Sequence, residues 1–257
     1  MEYVIICIVA LGASTLTFFS GFGLGTILSP VFAFFFPIEE AIALTGIVHF
    51  SNNIFKIFLV GKNADKDVLI KFGVPAIIAS FIGAWALLYL SDLPALFSYS
   101  IGERTFYVTP IKGTIAVILI IFALLEVIPS MSKLEFGKEK LPLGGILSGF
   151  FGGLSGIQGA IRSAFLIKCG LTKEAFIATG IAIAVLIDVT RLSIYSTRII
   201  NSNLQEYSTL MVAAISSALI GAYLGKKLLK KVTLKFVQNL VATALILIAL
   251  ALGSGLI

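Results

Sequence analysis

Apolar residues run through the chain in eight stretches, roughly 3–36, 41–60, 68–90, 108–128, 141–167, 175–195, 207–225 and 236–257. Each is closed by a short polar or Pro/Gly-containing break. About 20 apolar residues cross a roughly 30 Å hydrocarbon layer, so this pattern predicts an all-α polytopic membrane protein with almost no soluble domain. Composition agrees, with 58% of the 257 residues hydrophobic and 12% charged, where soluble domains carry about 25% charge. The opening residues lack the basic n-region of a cleaved signal peptide and are read as mature structure. The formal net charge is +6; with no polar domain to present it to nucleic acid, the charge belongs in short loops or inside the membrane. Cys7 and Cys169 stand alone in apolar surroundings, and no Cys/His spacing asks for a disulfide framework, a metal or another cofactor.

Stretches one and five are too long for a simple crossing and are interrupted by glycine, Ser20-Gly21-Phe22-Gly23-Leu24-Gly25 in one and Gly152-Gly153-Leu154-Ser155-Gly156 in the other. A shift of 134 or 135 residues superimposes Ser20-Gly21 on Ser155-Gly156, Gly25 on Gly159, Ser29 on Ser163, Glu40-Ala41 on Glu174-Ala175 and Thr45-Gly46 on Thr179-Gly180. With about four further residues inserted, Ile82-Gly83-Ala84 falls on Ile220-Gly221-Ala222. The chain therefore divides into two repeats, 1–130 and 141–257, joined by a cytoplasmic linker at 131–140. Chance recurrence of small residues, which are common in membrane helices, is the alternative.

Loop charge chooses between two topologies. If stretches one and five each cross once, Lys and Arg divide almost evenly between the two sides. If both are re-entrant hairpins, each repeat makes three full crossings. One side then collects Lys62, Lys66, Lys71, Lys133, Lys138, Lys140, Lys168, Lys173, Lys226, Lys227, Lys230, Lys231 and Lys235, against Arg104, Lys112 and Arg198 on the other. That split obeys the positive-inside rule, favours the hairpins and predicts both termini outside the cell (inner or plasma) membrane. Three crossings is an odd number, so the repeats would be inverted with respect to each other, as in many secondary transporters.

The remaining three of the 19 cations, Lys56, Arg162 and Arg191, fall inside membrane segments with Asp188 opposing them. Each charge costs on the order of 2.5–3.5 kcal/mol at a helix centre and usually marks a pathway. The repeat shift relates Lys56 to Arg191 and Asn53 to Asp188, placing a polar residue and a cation three positions apart in both halves. His49, Asn52, Asn53 and Lys56 form a polar stripe at helical spacing, extended by Thr45, that must face protein or water. Lys56 and Arg191 could instead snorkel to the headgroups, with Asp188 pairing locally with Arg191. Arg162 lies on the returning arm of stretch five. Returning arms that begin near Gly23 and Gly156 at mid-membrane would present unpaired backbone N–H groups and a positive helix end to an anion, with Ser20, Ser155 and Gln158 adding donors. Serine and glycine at these tips could equally serve only to cap and permit the turn. Three cations against one carboxylate predict a small anionic substrate. His49, with an ordinary pKa of about 6.5, or Asp188 is the candidate for a coupling proton.

Other features read as structure. Gly145, Gly149 and Gly153 repeat every four residues, as do Gly221 and Gly225, which lets helices approach closely. Glu39, Glu40 and Glu174 suit the first turns of their helices, and the basic cluster at 226–235 suits orientation, with anionic membrane lipid as a second use. Gly153-Leu154-Ser155-Gly156 also matches the GxSG around the serine of intramembrane rhomboid-like proteases. Ser155 has an internal counterpart in Ser20, however, as a repeated turn would and a unique nucleophile would not.

The paired openings GFGLGTILSPVFAFF and GFFGGLSGIQGAIRSAFLI, each followed by an ALTG or IATG helix carrying HFSNNIFK or DVTRLSIY, resemble the sulfite exporter TauE/SafE family over nearly the whole chain. The resemblance implies a multi-pass inner-membrane permease, not an enzyme, that moves sulfite or a related small sulfur-containing or organic anion outward by alternating access. It brings no fixed signature of site residues and sets no oligomeric state. A passive anion channel would use the same cations.

Overall fold

The computed structural model describes residues 2–18, 23–128, 136–199, 204–228 and 234–257. The chain is a multi-pass membrane protein built almost wholly of helices: α1 (Glu2–Thr17), α2 (Leu24–Ala33), α3 (Ile38–Val60), α4 (Lys66–Ser91), α5 (Pro110–Val127), α6 (Leu141–Ser155), α7 (Gly159–Leu166), α8 (Lys173–Ile199), α9 (Leu204–Leu228) and α10 (Leu234–Gly253). In the two glycine-interrupted stretches α1 ends at Thr17 and α2 starts at Leu24, and α6 ends at Ser155 and α7 starts at Gly159. Gly156 ends α6 in the left-handed region, at φ 76°, a conformation that glycine adopts without steric penalty. Among the described residues four helices are long and apolar enough to cross a membrane, Ile38–Asn63, Lys66–Ser91, Lys173–Ser196 and Tyr207–Lys227. The glycine-interrupted stretches give arms of 16 and 10 residues (α1, α2) and of 15 and 8 residues (α6, α7), each short of the about 20 residues of a full crossing.

The expected all-helical class needs one correction. Phe97–Ile101 (β1) and Arg104–Val108 (β2) pair antiparallel, Ile101 opposite Arg104 and Phe97 opposite Val108. Gly102 at φ 62°, the first of the two loop residues, supplies the positive φ that a tight hairpin requires. The Tyr99 hydroxyl donates to the Ser254 carbonyl, pinning this hairpin to the end of α10. The alternation of Phe97, Tyr99 and Ile101 with serines was the available signal.

Helix order in space follows from close backbone contacts. Gly145, Gly149 and Gly153 of α6 pass the carbonyls of Phe72, Ala76 and Ser80 on α4 in step, and Gly83 meets the Phe150 carbonyl from the other side. Gly221 and Gly225 of α9 pass the carbonyls of Leu11 and Thr15 on α1 in the same sense. A methyl group at any of these glycines would overlap a carbonyl oxygen, so the stripes are packing surfaces. The main pairings between the halves recur with the halves exchanged: α1 on α9 and α6 on α4, α3 on α9 and α8 on α4, α2 on α10 and α7 on α5, with α3 on α8 and α5 on α10 in the middle. The arms α6 and α7 lie side by side, for the Phe136 N–H donates to the Ala164 carbonyl at 3.2 Å and a side chain at Gly144 would strike the Phe165 ring.

The outer surface is apolar and the interior partly polar. On α4, Ile70, Val74, Ile78, Phe81, Ile82, Trp85 and Tyr89 form an exposed stripe, while Ser14, Thr45, His49, Asn52, Asn53, Lys56, Arg162, Asp188 and Arg191 are buried. A water-soluble protein has the opposite arrangement; hydrocarbon as solvent produces this one.

Gly149→Ala is expected to lower the melting temperature of the detergent-purified protein, since overpacking typically costs about 1–3 kcal/mol. Gly113→Ala, where nothing lies within 4 Å, should leave it unchanged or raise it, because alanine is the better helix former. Fluorescence-detected size-exclusion melts of the two variants check the pair.

Candidate anion site

The polar stripe of α3 faces α8, and the two helices run in opposite directions, Gly46 against Arg191 and Asn53 against Asp188. Asp188 is the centre of the contact. Its Oδ2 lies 2.6 Å from His49 Nδ1 and accepts from Asn53 Nδ2 at 3.3 Å, and its Oδ1 accepts from Arg191 Nε at 2.9 Å and lies 2.8 Å from Nη2. The carboxylate makes Nδ1 the protonated nitrogen of His49. Nε2 then points at Gly23, where a Cβ would sit 3.1 Å from it. Charges placed in hydrocarbon are tolerated when paired and hydrogen-bonded, and His49, Asp188 and Arg191, with Asn53 beside them, meet that condition at 4% exposure or less.

Lys56 is 4% exposed and Arg191 fully buried, so neither snorkels. The Lys56 ammonium lies 5.3 Å from the centre of the Phe18 ring, in cation–π range. With the Asn52 amide oxygen turned toward it, Asn52 accepts from Nζ at 3.1 Å, and the amide nitrogen donates to the Ala218 carbonyl at 3.2 Å and to Ser14 Oγ at 3.1 Å. The pairing is thus Asn52 with Lys56 in the first half and Asp188 with Arg191 in the second. Asn53, the repeat counterpart of Asp188, instead turns across the interface to Asp188 itself. Arg162 on α7 extends Nη1 to Gln158 Oε1 at 3.4 Å, and Gly180 of α8 leaves room for its guanidinium.

Lys56 and Arg162 meet across a cavity of about 30 Å³ whose walls come from both halves. Gly23 and Leu24 at the start of α2, His49 and Asn53 of α3, Ser163 of α7 and Gly180 of α8 complete its polar side. One water needs roughly 10–15 Å³ on this scale, so the space suits a molecule of a few heavy atoms. Phe18, Leu166, Phe176, Ile177 and Ile181 close it with apolar surface, in which the formal charges of Lys56 and Arg162 act at short range with little screening. The cavity sits toward the C-terminal end of α3 and the N-terminal end of α8, the side of the lysine-bearing loops at 61–65 and 136–140.

Of the expected site residues, Gly23, His49, Asn53, Lys56 and Arg162 come together at this cavity, and Gln158 touches it through Arg162. Asn52 stands behind Lys56. Arg191 and Gly156 lie on the far side of Asp188. Ser155 is engaged in the turn, its hydroxyl donating to the Phe151 carbonyl at 2.9 Å and accepting from the Ile157 N–H at 3.3 Å, which is the capping role rather than that of a nucleophile. Ser20 lies outside the described residues. Sequence reasoning missed Phe18, Ser163 and Gly180 as cavity lining, although the repeat had already paired Ser163 with Ser29 and Gly180 with Gly46. It also missed Tyr195, whose hydroxyl donates to the Gly153 carbonyl.

A cation-lined chamber enclosed between two halves of a multi-pass helical bundle, with an apolar exterior, is the construction of a membrane permease. The chain belongs to the sulfite exporter TauE/SafE family, whose family model matches residues 6–252. No curated protein matched the sequence.

Asp188→Asn is expected to destabilise the protein by about 3–5 kcal/mol, the usual consequence of leaving a buried cation uncompensated. Adding Arg191→Gln to the same chain should recover part of the loss. A double-mutant cycle of melting temperatures in detergent checks both statements.

Proposed function

We propose that this protein carries sulfite, or a related small sulfur-containing or organic anion, across the cell membrane by alternating access of two inverted repeats, 1–130 and 141–257. The observation that carries this reading is the small cavity in which Lys56 and Arg162, contributed by opposite halves, face one another beside the N-terminus of α2. Two cations and a helix N-terminus select an anion. The exchanged-halves contact pattern supports the inversion, as does the way α6 starts and α7 ends at the same level. In this arrangement α1–α2 and α6–α7 are hairpins entering from opposite faces, the lysine-rich loops are cytoplasmic, and both termini lie outside.

Direction follows from charge. A membrane potential negative inside works on each elementary charge with about 2.3 kcal/mol per 100 mV, which favours anion export without another energy source. His49 touches Asp188 through Nδ1 and turns Nε2 to the cavity, so it is the residue through which a proton could be coupled to the anion.

Radiolabelled sulfite should enter proteoliposomes of the purified protein saturably and exchange against unlabelled sulfite, and Arg162→Gln or Lys56→Gln should cut the rate at least tenfold. Conductive flux without counterflow would make the protein a channel; no flux of any sulfur anion would end the proposal. A flux indifferent to an imposed pH gradient would remove the coupling role of His49 and leave the rest.

A further inference from the structure

On the opposite side of Asp188 from the cavity lie polar atoms with no hydrogen-bond partner, Arg191 Nη1, Ser29 Oγ and Thr45 Oγ1, and Gln158 Nε2, on the side chain whose oxygen accepts from Arg162, is a further one between the two places. Their residues are 4% exposed or less, and each buried polar group left unpaired costs about 1–3 kcal/mol. Two of these atoms converge on one spot. The position that a Cβ on Gly156 would take is 2.8 Å from Arg191 Nη1 and 3.5 Å from Ser29 Oγ, so only a glycine lets the guanidinium and the hydroxyl close on this turn. Gly25 packs on the turn from the side of α2, where a Cβ would stand 3.0 Å from the Gly156 carbonyl oxygen and 3.8 Å from Thr45 Cγ2. Gln158 follows two residues after Gly156. Nearby, Asp188 holds Arg191 Nε and Nη2, the Tyr195 hydroxyl lies against the same guanidinium, and His49 lies beyond Asp188, while Nη1 faces the Gly156 turn.

Part of the group corresponds to the cavity under the internal repeat, although Arg162 has no charged counterpart. Lys56 maps to Arg191, Ser163 to Ser29, Gly180 to Gly46, and Gly23 to Ile157 or Gln158. Gly46 packs on the Arg191 guanidinium as Gly180 packs on that of Arg162. Depth differs: Lys56 and Gly180 lie toward the C-terminal end of α3 and the N-terminal end of α8, whereas Gly46 and Arg191 lie toward the opposite ends of the same helices.

We propose that Arg191, Ser29, Thr45 and Gln158 form a second oxyanion site, closed in this conformation by the Gly25–Gly156 contact and opened toward the other membrane face when the halves reorient. The reorientation rests on the transporter reading above; the unpaired donors do not. An oxyanion supplies the acceptors that the four side chains lack, and the guanidinium supplies the countercharge. The two sites would then be used in turn, with Asp188 between them.

The test is the melting temperature of the detergent-purified protein titrated with sodium sulfite, since a ligand that binds the native state raises it as concentration passes Kd. Arg162→Gln and Lys56→Gln each disable the cavity, and two variants guard against one misfolding. Both are expected to keep a sulfite-dependent rise. Adding Ser29→Ala with Thr45→Val to either should raise the remaining apparent Kd at least tenfold. The same pair of substitutions in the otherwise native protein should not lower the ligand-free melting temperature, because the lost hydroxyls bond nothing; a purely structural role would lower it. If both cavity variants lose every response to sulfite while the unsubstituted protein keeps one, the second site is wrong and the cavity stands. An unchanged residual Kd in the Ser29→Ala/Thr45→Val background also overturns it. If the unsubstituted protein shows no response, the anion readings of both sites fall together.

Discussion

The Asp188 carboxylate holds the centre of this molecule. In hydrocarbon an isolated carboxylate or guanidinium is penalised by several kcal/mol even after relaxation, so Arg191 is admissible on α8 only because Asp188 sits three residues earlier and accepts from it. The same carboxylate reaches the other half through His49 and Asn53, which makes one side chain both the internal partner of Arg191 and the bond between the repeats. Its position also sorts the remaining donors. Those toward the lysine-bearing loops border the cavity, and those beyond it surround the Gly156 turn.

Close helix contact makes that polar centre possible. Gly145, Gly149 and Gly153 bring α6 onto the α4 backbone, and Gly221 and Gly225 bring α9 onto α1. Without a hydrophobic drive between helices in lipid, such close approach is the main source of association. The glycine breaks serve a different end. They stop α1 and α6 partway through their stretches and start α2 and α7 inside the protein, so helix termini and polar side chains meet where an unbroken helix would offer only its flank.

Much of this was legible in the sequence because it rests on charge and spacing. The cost of a buried charge singled out Lys56, Arg162, Asp188 and Arg191, all of which are buried. The glycine interruptions foretold both broken helices. What escaped was tertiary. Nothing in the spacing of Asn52, Asn53 and Lys56 says that Asn52 would turn to the lysine while Asn53 turns to Asp188. The repeat implied separate pairs, whereas the structure joins Asn53 to Asp188 across the interface between the halves. The β1–β2 hairpin was overlooked because the break at 91–107 between apolar stretches reads as a loop unless its two-residue period is checked.

The exchange of arms between the halves has a consequence for synthesis. Helix α1 finds its partner on α9, around Leu11 and Gly221, some 210 residues apart along the chain. At translation rates of about 5–20 residues per second, the first helix waits on the order of 10–40 s in the bilayer before its groove exists, while α6 meets a finished α4 as it emerges. The Ser14 hydroxyl meets Asn52 of α3 early, but the backbone at Leu11 and Thr15 has no groove to fill until Gly221 and Gly225 arrive, so the amino-terminal helix of this permease completes its packing only near the end of synthesis.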